Sequence, residues 1–265
     1  MALSVYRKRG LMPTGAEEVA AAKAAVAIVD IAKEQGLLRR LRDVLRTKHY
    51  VLILGSTGTG KSNFVLSLKE LVPEAIDHLS RTAFASRSRV QLAGTVFDFI
   101  DTPGQAELRA RRLEAIRKAL DQTRFGVINV VSWGYHEYKT GKSEAIAPDG
   151  GVDAAWLSTH REVELDSAAE WVPLVAGKPA YMITLVTKAD LWWPEADNVI
   201  RYYEKGKYYR VVRDAALAGH VVVPYSSVFH NFYNEGALAG SFDAADREDC
   251  QKSLLQELFV STAKS

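Results

Sequence analysis

The stretch Tyr50-Val51-Leu52-Ile53-Leu54-Gly55-Ser56-Thr57-Gly58-Thr59-Gly60-Lys61-Ser62 decides the fold. Its first five residues form an apolar run that reads as a strand. The next eight fit the pattern G-x-x-x-x-G-K-[ST], and a helical stretch opens at Lys61. Glycines at 55, 58 and 60 let the backbone wrap tightly enough to aim successive N–H groups at phosphate oxygens. The helix N-terminus adds partial positive charge, Lys61 reaches the β- and γ-phosphates, and Ser62 supplies a hydroxyl to Mg²⁺. The flanking strand and helix separate this pattern from an ordinary glycine-rich turn.

Outward from that stretch, short apolar runs alternate with helical segments, the mark of a parallel sheet wrapped by helices. Strands are predicted near residues 50–54, 89–93, 95–100, 126–132, 181–187 and 220–224, and helices near 61–71, 105–120, 155–175, 195–218 and 246–262. Only Gly94 separates the second strand from the third, too short a link for a crossover, so those two are predicted to form an antiparallel hairpin. The expected class is α/β: a three-layer fold around a mostly parallel six-stranded sheet with one antiparallel edge strand, plus N-terminal helices.

Three further motifs fall at carboxyl ends of strands, where open α/β sheets bind ligands. The third strand ends in Asp101-Thr102-Pro103-Gly104-Gln105, and an acid there can hold Mg²⁺ directly or through water. The fifth ends in Thr187-Lys188-Ala189-Asp190, and the sixth in Pro224-Tyr225-Ser226-Ser227.

In the order of these motifs, residues 50–262 resemble the Ras-like P-loop GTPases. The resemblance implies GTP and GDP as ligands with Mg²⁺, GTP hydrolysis, and a nucleotide-dependent switch that works with a protein partner. It implies that Gly55, Ser56, Thr57, Gly58, Thr59, Gly60, Lys61 and Ser62 cradle the phosphates, with Gly104 a further nucleotide-binding residue. Thr187, Lys188 and Asp190 would recognise guanine, Asp190 accepting two hydrogen bonds from the ring N–H and the amine while Lys188 lies along the base. Ser226 and Ser227 take the place of the family's Ser-Ala-Lys loop, with Val228 where its lysine stands. Ser62, Thr82 and Asp101 would serve the metal, and Gln105 would orient the attacking water, with Lys61 and Thr82 completing the catalytic set. Thr57 replaces a glycine common in the family, which points to slow turnover without a partner. A GTP-holding scaffold that does not hydrolyse is the alternative, and a P-loop ATPase is a further one opposed by Asp190.

The remaining sequence is less specific. Residues 1–49 are expected to form a helical extension, with helices at 14–35 and 37–49, and residues 50–265 the nucleotide-binding domain with an insertion at about 134–178. Helix 37–49 carries Leu38, Leu41 and Leu45 on one face and Arg39, Arg40, Arg42, Arg46 and Lys48 on the other, suited either to docking on the domain or to a partner or anionic membrane surface. Across 265 residues, 34 Lys plus Arg against 32 Asp plus Glu give a formal net charge of +2, which excludes a global nucleic-acid-binding charge. The single cysteine, Cys250, excludes an internal disulfide and fits a reducing, cytoplasmic compartment. No secretory leader or spanning helix is expected.

Two segments stand open between readings. Arg109, Arg111, Arg112, Arg117 and Lys118 make the helix after Gln105 basic, either as a solvated face or as a surface for an acidic partner. Trp192, Trp193, Tyr202, Tyr203, Tyr208 and Tyr209 either pack a helix on the sheet or stack on single-stranded nucleic acid. Arg81, Arg87 and Arg89 read as a basic loop surface or as the source of an arginine acting in cis. His136 and His160 lack metal-ligand spacing, and the first half of the insertion reads as an exposed loop.

Overall fold

The computed structural model describes residues 48–68, 86–92, 95–104, 108–122, 124–137, 145, 151–213, 215–216, 219–227 and 242–264. The expected helix at 14–35 and residues 37–47 of the helix expected over 37–49, together with Arg81, Thr82 and Gln105, lie outside them.

Six strands form one sheet: β1 (Lys48–Leu54), β2 (Ser86–Leu92), β3 (Thr95–Asp101), β4 (Phe125–Val131), β5 (Tyr181–Val186) and β6 (His220–Pro224), in the order β2-β3-β1-β4-β5-β6. All neighbours are parallel except β2 and β3, which pair antiparallel with Ser86 opposite Asp101 and Leu92 opposite Thr95. The hairpin across Gly94 is thus the antiparallel edge that so short a link dictates. Strand β1 lies between β3 and β4, so the chain leaves its carboxyl end in one direction and returns on the other side, which opens a crevice there.

The first strand begins two residues before Tyr50, which corrects the last two residues, 48 and 49, of the helix expected over 37–49. Lys48 and His49 continue the ladder opposite Val96 and Phe97. Lys48 Nζ also pairs at 2.6 Å with the carboxylate of Asp98, which is fully buried. A buried carboxylate needs such a partner, and that tertiary demand overrides the local amphipathic pattern.

Helices cover both faces. On one side α1 (Lys61–Leu68) and the C-terminal α7 (Ala244–Lys264) pack Phe64, Val65, Leu254, Leu258 and Phe259 against Val51, Ile53, Phe97, Phe99, Ile128 and Ile183. On the other, α2 (Arg109–Leu120), α3 (Ala154–Val175), α5 (Ala196–Lys205) and α6 (Lys207–Val212) pack against Leu52, Leu54, Val127, Val131 and Met182. Alternate residues of β1 therefore feed opposite layers, and every residue of β4 and β5 is buried, as for strands covered on both faces. Between β5 and α5 lie the short α4 (Ala189–Trp192) and a 3₁₀ turn (Trp193–Glu195). Trp192, Tyr203 and Tyr208 are buried in the second layer, so the aromatic run after Asp190 packs the helices on the sheet, rather than offering these rings to nucleic acid.

Helix starts follow their capping residues. Asp153 accepts from the N–H groups of Ala155 and Trp156 at 2.9 Å and starts α3. Asp243 accepts from Ala245 and Asp246 N–H while Asp246 returns a carboxylate to Asp243 N–H at 2.9 Å, a reciprocal cap for α7. Helix α3 lies in the crossover between β4 and β5, and among the described residues before it Tyr135, His136 and Ala145 are buried while Glu137, Gly151 and Val152 are exposed. The rest of the expected loop lies outside the described residues. No described helix is long and apolar enough to cross a membrane.

Candidate functional site

The loop from Gly55 to Ser62 joins β1 to α1 above the crevice. Gly55, Gly58 and Gly60 have φ of 133°, 82° and 86°, the region that side chains rarely adopt. A Cβ at Gly58 would also come within 2.7 Å of the backbone N and O of Glu137. Lys61 Nζ donates to the carbonyls of Gly55 and Ser56 at 2.9 and 2.6 Å, and Thr59 Oγ1 donates to Ser56 O at 3.0 Å. Burial lowers the Lys61 ammonium to about 8, partly offset by the carboxylate of Asp101.

Ser62 Oγ donates to Asp101 Oδ2 at 3.3 Å, joining the start of α1 to the end of β3. Asp101 is buried, and Thr102 Oγ1 donates to Ile53 O at 2.8 Å, which locks the strand end against β1. A hydroxyl and a carboxylate so close are hard oxygen donors of the kind Mg²⁺ takes together with phosphate oxygens and water. Among the described residues no group of three His, Cys, Asp or Glu is placed to hold a metal by itself. Gly104 lies against the loop: a Cβ there would be 2.5 Å from Lys61 Nζ and 2.7 Å from Thr57 N.

The second half of the site comes from β5 and β6. Thr187 Oγ1 lies 2.6 Å from Thr59 O and 2.9 Å from Val131 O, so one hydroxyl proton ties the phosphate loop to the end of β4. Lys188 has a left-handed φ of 58°, uncommon outside glycine and the kind of strain that marks functional loops. Its Nζ donates to Tyr135 O at 2.6 Å and lies 3.6 Å from the Glu137 carboxylate. Burial lowers the Lys188 ammonium, against the raising influence of Glu137 and Asp190. Ser226 Oγ donates to Asp190 Oδ1 at 3.0 Å, and burial pushes the Asp190 carboxyl up to about 6 despite that bond. Ser227 is buried next to Ser226 in the chain.

Of the residues singled out from the sequence, the structure thus gathers Gly55–Ser62, Asp101, Gly104, Thr187, Lys188, Asp190, Ser226 and Ser227 at the carboxyl ends of β1, β3, β5 and β6. In the basic helix, Arg109 and Arg112 both reach Glu170 of α3, at 2.7 and 2.8 Å, and Arg112 is buried, so these two serve the fold. Arg117 and Lys118 remain at the surface. His136 and His160 are neighbours, ring centroids 4.9 Å apart, engaged with Glu164 and the backbone of Trp156. Sequence reasoning misses Tyr135, Glu137 and Glu164, which carry no motif.

The fold and the loop between β1 and α1 are similar to those of P-loop GTPase domains of the small G-domain type. Residues 50–149 match the family model described as 50S ribosome-binding GTPase. Among solved structures, the chain is similar to one of the chloroplast translocon components atToc33 and psToc159, at 17% identity over 91% of both chains with a TM-score of 0.54. The mammalian SRP receptor follows at 15% identity, 79% of this chain, 100% of the other and a TM-score of 0.47. Arl6 of Trypanosoma brucei follows at 14% identity, 82% and 99%, and 0.46. No curated protein matches the sequence. The first of these, the one with a TM-score above 0.5, supports the α/β fold described above.

Proposed function

We propose that this domain binds GTP and GDP with Mg²⁺, hydrolyses GTP slowly, and changes its surface with the state of the nucleotide. The observation that carries the reading is the convergence of two chemistries on one crevice: a phosphate loop with Lys61, Ser62 and Asp101, and a carboxylate, Asp190, oriented by Ser226. Lys61 and the backbone N–H groups would stabilise charge gathering on the phosphate oxygens as water attacks in line. Mg²⁺, when bound, neutralises charge on the β- and γ-phosphates, and Ser62 and Asp101 are the residues that would hold it. Thr82 and Gln105 retain the roles that family resemblance gives them, the first toward the metal and the second toward the attacking water. A buried acceptor at Asp190 favours guanine, since adenine would leave it without its two donors.

A second reading, a GTP-bound scaffold without useful hydrolysis, draws on Thr57, whose backbone N lies within 2.7 Å of where a Gly104 Cβ would fall. A β-branched side chain at this position would crowd Gln105 or an incoming arginine. For the chloroplast translocon components atToc33 and psToc159, dimerization is important for the GTPase activity. Acceleration of this chain by a partner at the residues around Gln105 is accordingly part of the proposal, as is a cytoplasmic site of action.

The test is single-turnover hydrolysis of GTP by nucleotide-free protein with Mg²⁺, at several protein concentrations. Intrinsic release of phosphate is expected on the order of 10⁻⁴ to 10⁻² per second. Gln105→Leu should bind GTP nearly as well and release phosphate more slowly, while Ser62→Asn should weaken GTP binding in Mg²⁺. Equal rates for wild type and Gln105→Leu would remove Gln105 from the chemistry, and an uncleaved γ-phosphate would favour the scaffold.

A further inference from the structure

Residues 132–137 belong to no motif, yet they touch both halves of the site. Tyr135 O accepts from Lys188 Nζ, Glu137 Oε2 faces the same ammonium, and Glu137 N–H donates to Gly58 O at 3.2 Å. The segment also has a backbone that needs external support: Trp133 has φ 57° and Gly134 φ 86°, and a Cβ at Gly134 would overlap the backbone of Leu157.

One carboxylate from α3 holds it. Glu164 Oε1 lies 2.7 Å from Ser132 N, 3.2 Å from Ser132 Oγ, 3.3 Å from Gly134 N and 3.1 Å from His136 Nε2. Its Oε2 accepts from the Tyr203 hydroxyl, and the oxygen of that hydroxyl accepts from Trp133 N–H. Glu164 is 2% exposed. Burial alone would raise its carboxyl, but the bonds from His136, Tyr203 and Ser132 outweigh it and hold the group below its ordinary value. A carboxylate withdrawn from water this far is costly unless its acceptor sites are filled, and here the donors that fill them come from the segment beside the phosphate loop and from α5.

We infer that Glu164 is a positioning residue of the nucleotide site. By fixing residues 132–137 it sets the carbonyl of Tyr135 and the carboxylate of Glu137 that hold Lys188, and the N–H that holds Gly58. The inference rests on the reading of Lys188 as a nucleotide contact, and it assigns the helix between β4 and β5 a part in ligand affinity as well as in covering the sheet.

A double-mutant cycle separates this role from helix packing. GDP affinity is measured by fluorescence competition on the nucleotide-free full chain for wild type, Glu164→Ala, Lys188→Ala and the double variant. Glu164→Ala should weaken GDP about tenfold in the wild-type background, where a placed hydrogen bond is lost, and less than about threefold once Lys188 is gone. Equal losses in both backgrounds would show a merely structural role and overturn the inference. Tyr203→Phe removes only the hydroxyl on Oε2 and serves if Glu164→Ala does not fold; its smaller loss should likewise shrink in Lys188→Ala. A wild type that binds ATP as tightly as GDP would strike the guanine reading alone, and the cycle is then read with ATP.

Discussion

Ser226 Oγ donates to Asp190 Oδ1 at 3.0 Å, so the loop that follows β6 aims the carboxylate in the first turn of α4. A carboxylate fixed in this way presents acceptors to a base edge in one orientation. Asp190→Asn exchanges an acceptor for an amide donor. The variant should lose GTP affinity by on the order of a hundredfold and gain affinity for xanthosine triphosphate, whose C2 carbonyl accepts from the new amide. Competition binding with the two nucleotides checks this; an unchanged ratio of their affinities would mean that Asp190 does not read the base.

The same burial gives an acid limit to binding. Asp190 is pushed up to about 6 from an ordinary value of 3.8, and a protonated carboxyl cannot accept both donors. Affinity is therefore complete above about pH 6 and should fall about tenfold per unit below it. The effect on folding runs the other way. A carboxyl raised in the folded state stabilises it fully below its unfolded pKa, and that contribution is lost as pH rises through about 6. Between pH 7 and 5 the Asp190 contribution should raise the melting temperature of the nucleotide-free protein while it weakens nucleotide binding. Asp190→Asn should abolish both trends together, and a binding profile identical in wild type and variant would exclude this assignment.

Lys61 sets the alkaline limit. Burial lowers its ammonium to about 8 from 10.5, and phosphate can be bound by the charged form only at the cost of taking up a proton above that pH. GDP affinity should fall as pH rises through about 8, with net proton uptake on binding near pH 8.5. For folding the sign is again opposite: a lysine depressed in the folded state contributes stability above its unfolded value, lost as pH falls through about 8. Calorimetric titration in two buffers of different ionisation enthalpy measures the uptake, and a value of zero at pH 8.5 would show that Lys61 is already charged.

How much of this is legible in the sequence depends on whether the information is local. The phosphate loop is legible because strand, glycines, lysine and helix are contiguous, and the hairpin because Gly94 leaves one geometric choice. Lys48 misleads, since its reason for lying in a strand, the buried carboxylate of Asp98, is remote along the chain. Glu164 gives no signal at all. It stands between Glu162 and Asp166 in a helix with many polar residues, and nothing local distinguishes a solvated carboxylate from one that gathers donors from Ser132, Gly134, His136 and Tyr203. Tyr135, His136 and Ala145 are buried for a related reason that the sequence does not carry: the elements that cover them are remote along the chain.

Gly104 offers the sharpest steric prediction. Its φ lies outside the left-handed region, so alanine fits its backbone, and only the neighbours object: a Cβ would stand 2.5 Å from Lys61 Nζ and 2.7 Å from both Ser56 C and Thr57 N. The lysine end can swing away, but the loop backbone cannot, so Gly104→Ala must push the end of β3 off the phosphate loop. Overpacking of this kind costs about 1–3 kcal/mol, read as a lower melting temperature of the nucleotide-free protein. Because that Cβ would stand against Lys61 Nζ, the group expected to reach the γ-phosphate, GTP affinity should fall more than GDP affinity. Gly177→Ala is the control: Gly177 has φ 67° with nothing within 4 Å of a Cβ, so alanine there meets only backbone strain, worth about 1–2 kcal/mol. That variant should lose stability and keep both affinities. If Gly104→Ala weakens GTP and GDP equally, its backbone does not distinguish the two nucleotides and the strand end is a structural contact of the loop alone.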